Sequence, residues 1–400
     1  MKNRNLIIGI AIILLMTFSA CSGKAEGGAN YGKGSFYVRA NGSDNNKGTS
    51  ENAPFKTLRK ALHEASSSDK TWKITVIGIL DADSEGYIPT ATFEIMNSGN
   101  QEILITGKKN AAPREKAVLS GIKWRENTLR IAGTSNVRFE NIDISGSKKN
   151  GIKAEDNAII TIGTGAVIKE NQSRGIEAGN KVKIVVDGGE ISNNQYTGID
   201  GDCTVTINNG TFSDNGLNGV VGNTIVIHNG IFTNHREAGV VGRNVTINGG
   251  EFSNNSHGVH LYGNGGGVST MSNGVISNNI NGIIVGNSST EAIEFTLTGG
   301  SITNNTRAGV FVSEINIGVA KNKTNIFNMS GGSVTGNGTG GDKRTSWDIY
   351  LAGGVILQTG VAYYCKIGEF VKTGGDLSGN QPQDMQKGSS QISTKYTESW

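Results

Sequence analysis

An all-β solenoid is predicted for this chain: three parallel sheets wound into a right-handed β-helix, with a short strand and helix ahead of it. Three observations predict it. A Gly-x-apolar-Ser/Thr element recurs seven times, beginning at Gly189, Gly210, Gly230, Gly250, Gly274, Gly300 and Gly332. A Gly-Ile or Gly-Val element follows, at Gly198, Gly219, Gly239, Gly258, Gly282 and Gly309. Alternating segments such as Val205-Thr206-Ile207, Ile225-Val226-Ile227 and Val245-Thr246-Ile247 come next.

Each repeat therefore holds three short alternating segments between Gly/Asn turns, which is the strand signal. Gly and Asn interrupt too often for helix, and the Leu ladder of a leucine-rich repeat is missing. Three strands per repeat of about 20 residues describe one turn of a three-sheet β-helix, rising about 4.8 Å. The inward column of one sheet reads Ile191, Phe212, Phe232, Phe252, Ile276, Ile302 and Val334. Asn194, Asn215, Asn255, Asn279, Asn305 and Asn337 fall at one corner. Asn tolerates left-handed backbone and can bond to the next turn, so both properties suit that corner. Earlier copies of the Gly-Ile strand are read at Ala91 to Ile95, Thr128 to Ile131 and Gly151 to Ala154, and the last at Trp347 to Leu351. The expected solenoid has about eleven turns.

Composition narrows the function classes. Among 400 residues there are 59 Gly and only 4 Pro, with no Gly-X-Y period, which excludes collagen. The net charge of +3 lacks a basic cluster, so nucleic acid is not an expected partner. A solenoid lengthens without changing its cross-section, so this length need not mean several domains.

Residues 1–21 read as a targeting segment. Lys2 and Arg4 precede an apolar run from Leu6 to Met16, too short to span a bilayer comfortably. Phe18-Ser19-Ala20-Cys21 resembles a lipobox, which implies a bacterial lipoprotein acylated on Cys21, exported and anchored at the cell envelope. Residues 22–35 read as a flexible tether, 36–70 as an N-terminal cap, 71–380 as the β-helix and 381–400 as a C-terminal tail, in a monomeric protein. Cys203 and Cys365 fall about seven turns apart, too far for a disulfide, so free thiols are expected.

The segment Phe36-Tyr37-Val38, Gly42-Ser43-Asp44, Gly48-Thr49, Ala53-Pro54-Phe55, Thr57-Leu58 and Ala61-Leu62 resembles the cap found ahead of many secreted right-handed β-helices of the pectin-lyase-like superfamily. With the repeats, the resemblance covers Ser35 to Gly379. It implies a groove over the sheet built from the Gly-Ile strands. The superfamily holds polysaccharide lyases, glycoside hydrolases and proteins with no known reaction, so the site must decide.

The residue after each Ile or Val of that sheet should point outward. The column reads Glu94, Arg130, Lys153, Glu177, Asp200, Val221, Val241, His260, Ile284, Phe311 and Tyr350. Neighbouring Glu177 and Asp200 have the chemistry of a retaining glycosidase pair or a Ca²⁺ site; they also fit a charge ladder in which Lys153 offsets Glu177. Ser256-His257-Gly258 stands where polygalacturonases place a Gly-His-Gly, with only the His-Gly kept; the preceding turn offers Glu237 and no Asp pair, Asn218 lacks its Asp, and no Arg-Ile-Lys follows. Candidate catalytic residues are thus Glu177, Asp200, Glu237 and His257. His235, His257 and His260 lack the rest of a metal ligand set, so neither a metal nor another cofactor is expected. Arg236, Arg243 and Arg307 flank the groove without a carboxylate cluster. Val221, Val241, Ile284, Phe311 and Tyr350 form an apolar stripe of the kind that marks a contact. Longer turns at Tyr262 to Asn273, Ser313 to Asn325 and Gly336 to Ser346 are expected to cover it in part, leaving an open stretch from Asp200 to His260. Asp200, Val221, Val241, His260, Phe311 and Tyr350 are the candidate binding residues. The favoured function is a non-catalytic surface protein binding a polysaccharide, a host molecule or another envelope protein. The alternative is a lyase or hydrolase acting on an acidic polysaccharide.

Overall fold

The computed structural model describes residues 34–66, 71–81, 85, 91–96, 101–121, 126–262, 265–286, 291–313 and 325–338. It also describes the backbone of strands at 315–316, 347–351, 354–358, 361–366, 369–372 and 385–387. Cys21, its lipobox and nearly all of the tether lie outside the described residues, as do the side chains of Tyr350 and Cys365.

The Gly-Ile strands pair in parallel along one ladder, with the register read from sequence. Glu94 opposes Arg130, Arg130 opposes Lys153, Lys153 opposes Glu177 and Glu177 opposes Asp200. The ladder continues through Val221, Val241, His260, Ile284, Phe311 and Tyr350. Met385–Lys387, within the stretch read as a tail, adds a further strand beyond Tyr350. The eleven expected strands of this sheet are all present, yet the turns are not equal. About eight, between Asn127 and Arg307, are compact and regular. The turns on either side carry long insertions, so the expected eleven turns are corrected to about eight regular ones with extended turns flanking them.

The core column is as expected. Ile191, Phe212, Phe232, Phe252, Ile276, Ile302 and Val334 face one another turn by turn and are fully buried. The three Phe rings stack at 5.0 and 4.6 Å between centroids, almost parallel. Repeating one ring at one register is what brings them into stacking range.

The Asn corner divides its work between two adjacent residues. Left-handed backbone falls on Asn193, Asp214, Asn234, Asn254, Asn278 and Asn304, with φ between 54° and 60°. The residue after each bonds along the axis instead. The Asn194 side-chain amide donates to Asn215 Oδ1 at 3.0 Å, Asn255 to Asn279 at 3.1 Å, Asn279 to Asn305 at 3.1 Å and Asn305 to Asn337 at 2.8 Å. The backbone N–H of Asn194, Asn255, Asn279 and Asn305 donates to the same oxygens. His235 takes one rung: its Nδ1 accepts from the Asn215 N–H at 3.3 Å, and its own N–H donates to Asn255 Oδ1 at 2.9 Å. This ladder also explains the glycine of the Gly-Ile element. A Cβ on Gly198 would lie 2.5 Å from Gly219 O and 3.1 Å from Asn215 Nδ2, so a side chain there would collide with both the next turn and the ladder.

Two expected turn features differ. The stretch from Tyr262 to Asn273, expected as a long turn, contains strand Gly267–Met271, which pairs with Thr246–Ile247 and Ile293–Leu297. Its inward position is Ser269, 1% exposed, where the turns before it carry Val205, Ile225 and Val245 and those after it Phe295 and Phe327. The Ser269 hydroxyl accepts the Val245 N–H at 3.0 Å, so the polar residue is satisfied inside the wall. Ile315–Asn316, Gly354–Gln358 and Val361–Lys366 form a separate antiparallel sheet, which takes Cys365 out of the solenoid register.

At the N-terminal end, strand Ser35–Val38 pairs with Trp72–Val76, and helix Leu58–Ser66 buries Leu58, Ala61 and Ala65. Thr57 caps the helix by accepting the Lys60 N–H at 3.1 Å, and Asp44 Oδ1 accepts the Lys56 and Thr57 N–H groups at 2.9 Å each. The Glu85 carboxylate accepts the N–H groups of Leu58 and Arg59, and burial pushes its pKa up to about 7.

Candidate functional site

The Gly-Ile sheet carries both kinds of outward residue the sequence distinguishes. In its first half the charges engage one another. The Arg130 guanidinium donates to Glu94 at 2.6 Å and to Glu155 at 2.7 Å. Lys153 pairs with Glu155 at 3.1 Å, so the expected offset of Glu177 by Lys153 is replaced. Glu155, two residues along the same chain, is the partner within reach. Glu177 instead accepts the Asn150 side-chain N–H at 2.5 Å, and Asp200 is ion-paired with the Arg174 Nε. The adjacent carboxylates therefore have separate partners.

The second half is less open than the stripe implied. Val241 is 8% exposed, so it is a packing residue and not part of an open groove. Val221, Ile284 and Phe311 are half-buried. Glu237, Arg236 and Arg307 are exposed on turns.

His257 and His260 project from one strand with ring centroids 5.9 Å apart, edge to face. Burial holds both imidazoles below their ordinary pKa, His260 down to about 4. His260 Nε2 is buried without a hydrogen-bond partner. His257 Nδ1 lies 3.3 Å from the Asn281 side-chain amide, and no carboxylate bonds to its ring among the described residues. His235 belongs to the Asn ladder, bonded to Asn215 and Asn255, and does not join the other two in a metal-holding group. Among the described residues no group of three or more His, Cys, Asp or Glu is arranged to hold a metal.

An open cleft of about 470 Å³ lies where the Gly-Ile sheet turns into the next sheet. It brings together Asp200, Asp202, Val221, Asn223, Arg243 and Tyr262 from successive turns. Tyr262 is 43% exposed, and its ring tilts against His260 at 5.9 Å. The Arg243 guanidinium donates to Gly265 O at 2.6 Å and to Gly266 O. Of the expected binding residues, Asp200 and Val221 line this cleft. Val241 and His260 lie outside its lining, and Phe311 stands further along the ladder. Sequence reasoning missed Asp202, Asn223 and Tyr262 as binding residues. The available signal was Tyr262 at the start of a lengthened turn, two residues after His260.

Cys203, at the cleft's inner side, is a free thiol fully buried in the core; burial pushes its pKa up to about 12, so it is a packing residue.

Comparison with known proteins adds the following. A family model described as "Right handed beta helix region" matches residues 127–299, which are the regular turns. No curated protein sequence matches the chain. Among solved structures, pectate lyase Pel9A is 13% identical with a TM-score of 0.40, covering 88% of this chain and 81% of that one. A rhamnogalacturonan lyase is 10% identical with a TM-score of 0.32, covering 91% and 90%. The ladder of parallel pairings and the matched family model together make the chain a right-handed parallel β-helix, the hand expected of parallel crossover connections.

Proposed function

We propose that this chain is an exported lipoprotein, anchored through Cys21, whose β-helix presents a non-catalytic glycan-binding cleft at Asp200, Val221 and Tyr262. One observation carries the reading: an open cleft on the outward sheet sets an exposed tyrosine ring beside carboxylate, amide and apolar groups. Sugars present apolar ring faces fringed by hydroxyls, so a ring to stack on and polar groups at its edge are what recognition needs. Partnered carboxylates support binding over acid–base chemistry, since Asp200 is tied to Arg174 and Glu177 to Asn150. The lipid on Cys21 and the tether at 22–35 would hold the 71–380 solenoid off the membrane, with the 36–70 cap covering its N-terminal end.

Two measurements test this. Purified protein is incubated with a panel of soluble polysaccharides, with and without Ca²⁺, while retention and product release are followed. Retention without new reducing ends or unsaturated sugars is expected; release of either would establish a hydrolase or lyase in its place. Membrane fractionation of Cys21→Ser is expected to show the protein released or unprocessed; unchanged membrane association would overturn the anchor.

A further inference from the structure

We propose that Asn273 is a self-modification site, where the Gly274 backbone nitrogen attacks the Asn273 side-chain amide and the residue becomes aspartate or isoaspartate. The site lies outside the cleft lining. Asn273 is exposed at the corner between strands Gly267–Met271 and Val275–Ser277. The Gly274 N–H donates to Asn273 Oδ1 at 2.8 Å. That oxygen is bonded to Cγ, so the nitrogen is held against the carbon it attacks. Holding two reacting groups together in this way removes much of the entropic part of a barrier. Gly274 has a φ of 106°, which its missing Cβ permits, and no side chain screens its nitrogen.

The same corner supplies two comparisons. Asn209-Gly210 and Asn229-Gly230 occupy equivalent places three and two turns earlier. Both asparagines are exposed, but Gly210 and Gly230 are buried, whereas Gly274 is half-buried. Their φ values are 156° and 148°. Among the described Asn-Gly pairs, only Gly274 donates to the side chain that precedes it. The N–H groups of Gly42, Gly151, Gly219 and Gly338, in four further pairs, donate instead to the carbonyls of Arg39, Arg174, Ala238 and Asn305.

In the reaction the bond from Gly274 N to Asn273 Cγ forms and the Cγ–Nδ2 bond breaks. Nδ2 leaves as ammonia, with the proton given up by the Gly274 nitrogen. Water then opens the cyclic imide. Opening at Cγ gives aspartate, and opening at the Asn273 main-chain carbonyl carbon gives isoaspartate. Both add a negative charge, and isoaspartate also lengthens the main chain by a methylene. The added length falls beside two rungs between turns, Val275 N–H to Gly250 O and Ser301 N–H to Gly274 O, each 2.9 Å.

The test holds the full chain at neutral pH and physiological temperature, samples it over weeks and follows amide-to-acid conversion residue by residue by peptide mass spectrometry. Conversion at Asn273 is expected to be at least about threefold faster than at Asn209 or Asn229, with both acid isomers formed. In urea, where the corner is unfolded, the three rates should converge. A ratio below about threefold in the folded chain would overturn the assignment. So would the same ratio persisting in urea, because the dipeptide's neighbours in sequence, and not the fold, would then set it.

Discussion

The two halves of the outward Gly-Ile column share one backbone ladder and differ in what their side chains meet. From Glu94 to Asp200 the column is charged, and its ion pairs are made within the sheet: Arg130 bridges Glu94 and Glu155, and Arg174 holds Asp200. From Val221 onward the column is apolar or aromatic; Val241 within it is buried, and Val221, His260, Ile284 and Phe311 are half-buried. The inward column does not change in character across this boundary, since Ile152, Ile176, Ile199, Val220, Val240 and Val259 are all buried. The difference teaches that the repeat specifies the fold from inside, while the outer face is free to vary. A cleft of about 470 Å³ falls where the two kinds of surface meet.

The comparison can be broken most severely from the inside. Phe232 stacks between Phe212 and Phe252, so Phe232→Ala should leave a cavity and cost about 3 to 5 kcal/mol in reversible unfolding. A cost below about 1 kcal/mol would contradict the continuous core. On the outer face, Val241→Lys is expected to lower stability by about 1 to 3 kcal/mol, because an amine at this position must lose water or push its neighbours aside. An unchanged melting temperature would restore Val241 to an open groove.

A smaller effect belongs to the Asn corner. His235 is buried and held neutral, with its pKa lowered from 6.5 to about 4 mainly by desolvation. Its Nδ1 accepts the Asn215 N–H, so a proton there would set donor against donor. Below pH 6.5 the unfolded chain takes up a proton that the folded chain resists. Stability is therefore full above pH 6.5 and lost as pH falls towards 4. Glu85 works in the opposite sense: its raised pKa favours the folded state at low pH and withdraws that support as pH rises through about 7. The difference between wild type and His235→Asn isolates the histidine. The gap should change across pH 6.5 to 4 and be flat above, and a pH-independent gap would contradict the ladder assignment. The smallest effect is expected in the charged half. Arg130→Met, at a partly exposed pair, should cost about 1 kcal/mol or less in denaturant unfolding. A much larger loss would mean that these charges hold the sheet together.

The register of the Gly-Ile sheet was legible because a two-residue alternation and a fixed Gly tie each strand to its turn. The Phe column followed for the same reason. Strand Gly267–Met271 was hidden because Ser269 occupies an apolar position and is satisfied by a backbone N–H that only the fold supplies. The split between Asn193 and Asn194 was hidden too, since two adjacent residues of one type show no division of labour in sequence. The cleft was only partly legible. Asp200 and Val221 stood out in the column, but Arg243 and Tyr262 reach it from later turns around a corner, and no linear spacing marks that meeting.

The central claim is that ligand engages the corner between the two halves and leaves the paired charges alone. Hydrogen–deuterium exchange of the full chain, with and without a saturating concentration of a polysaccharide retained in the binding panel, tests it most directly. The account predicts new protection at Ile199–Gly201, at Val220–Ile227 and around Tyr262, with none at Asn150–Ala154 or Ile176–Ala178. Protection centred on the charged strands, with the corner unchanged, would contradict it.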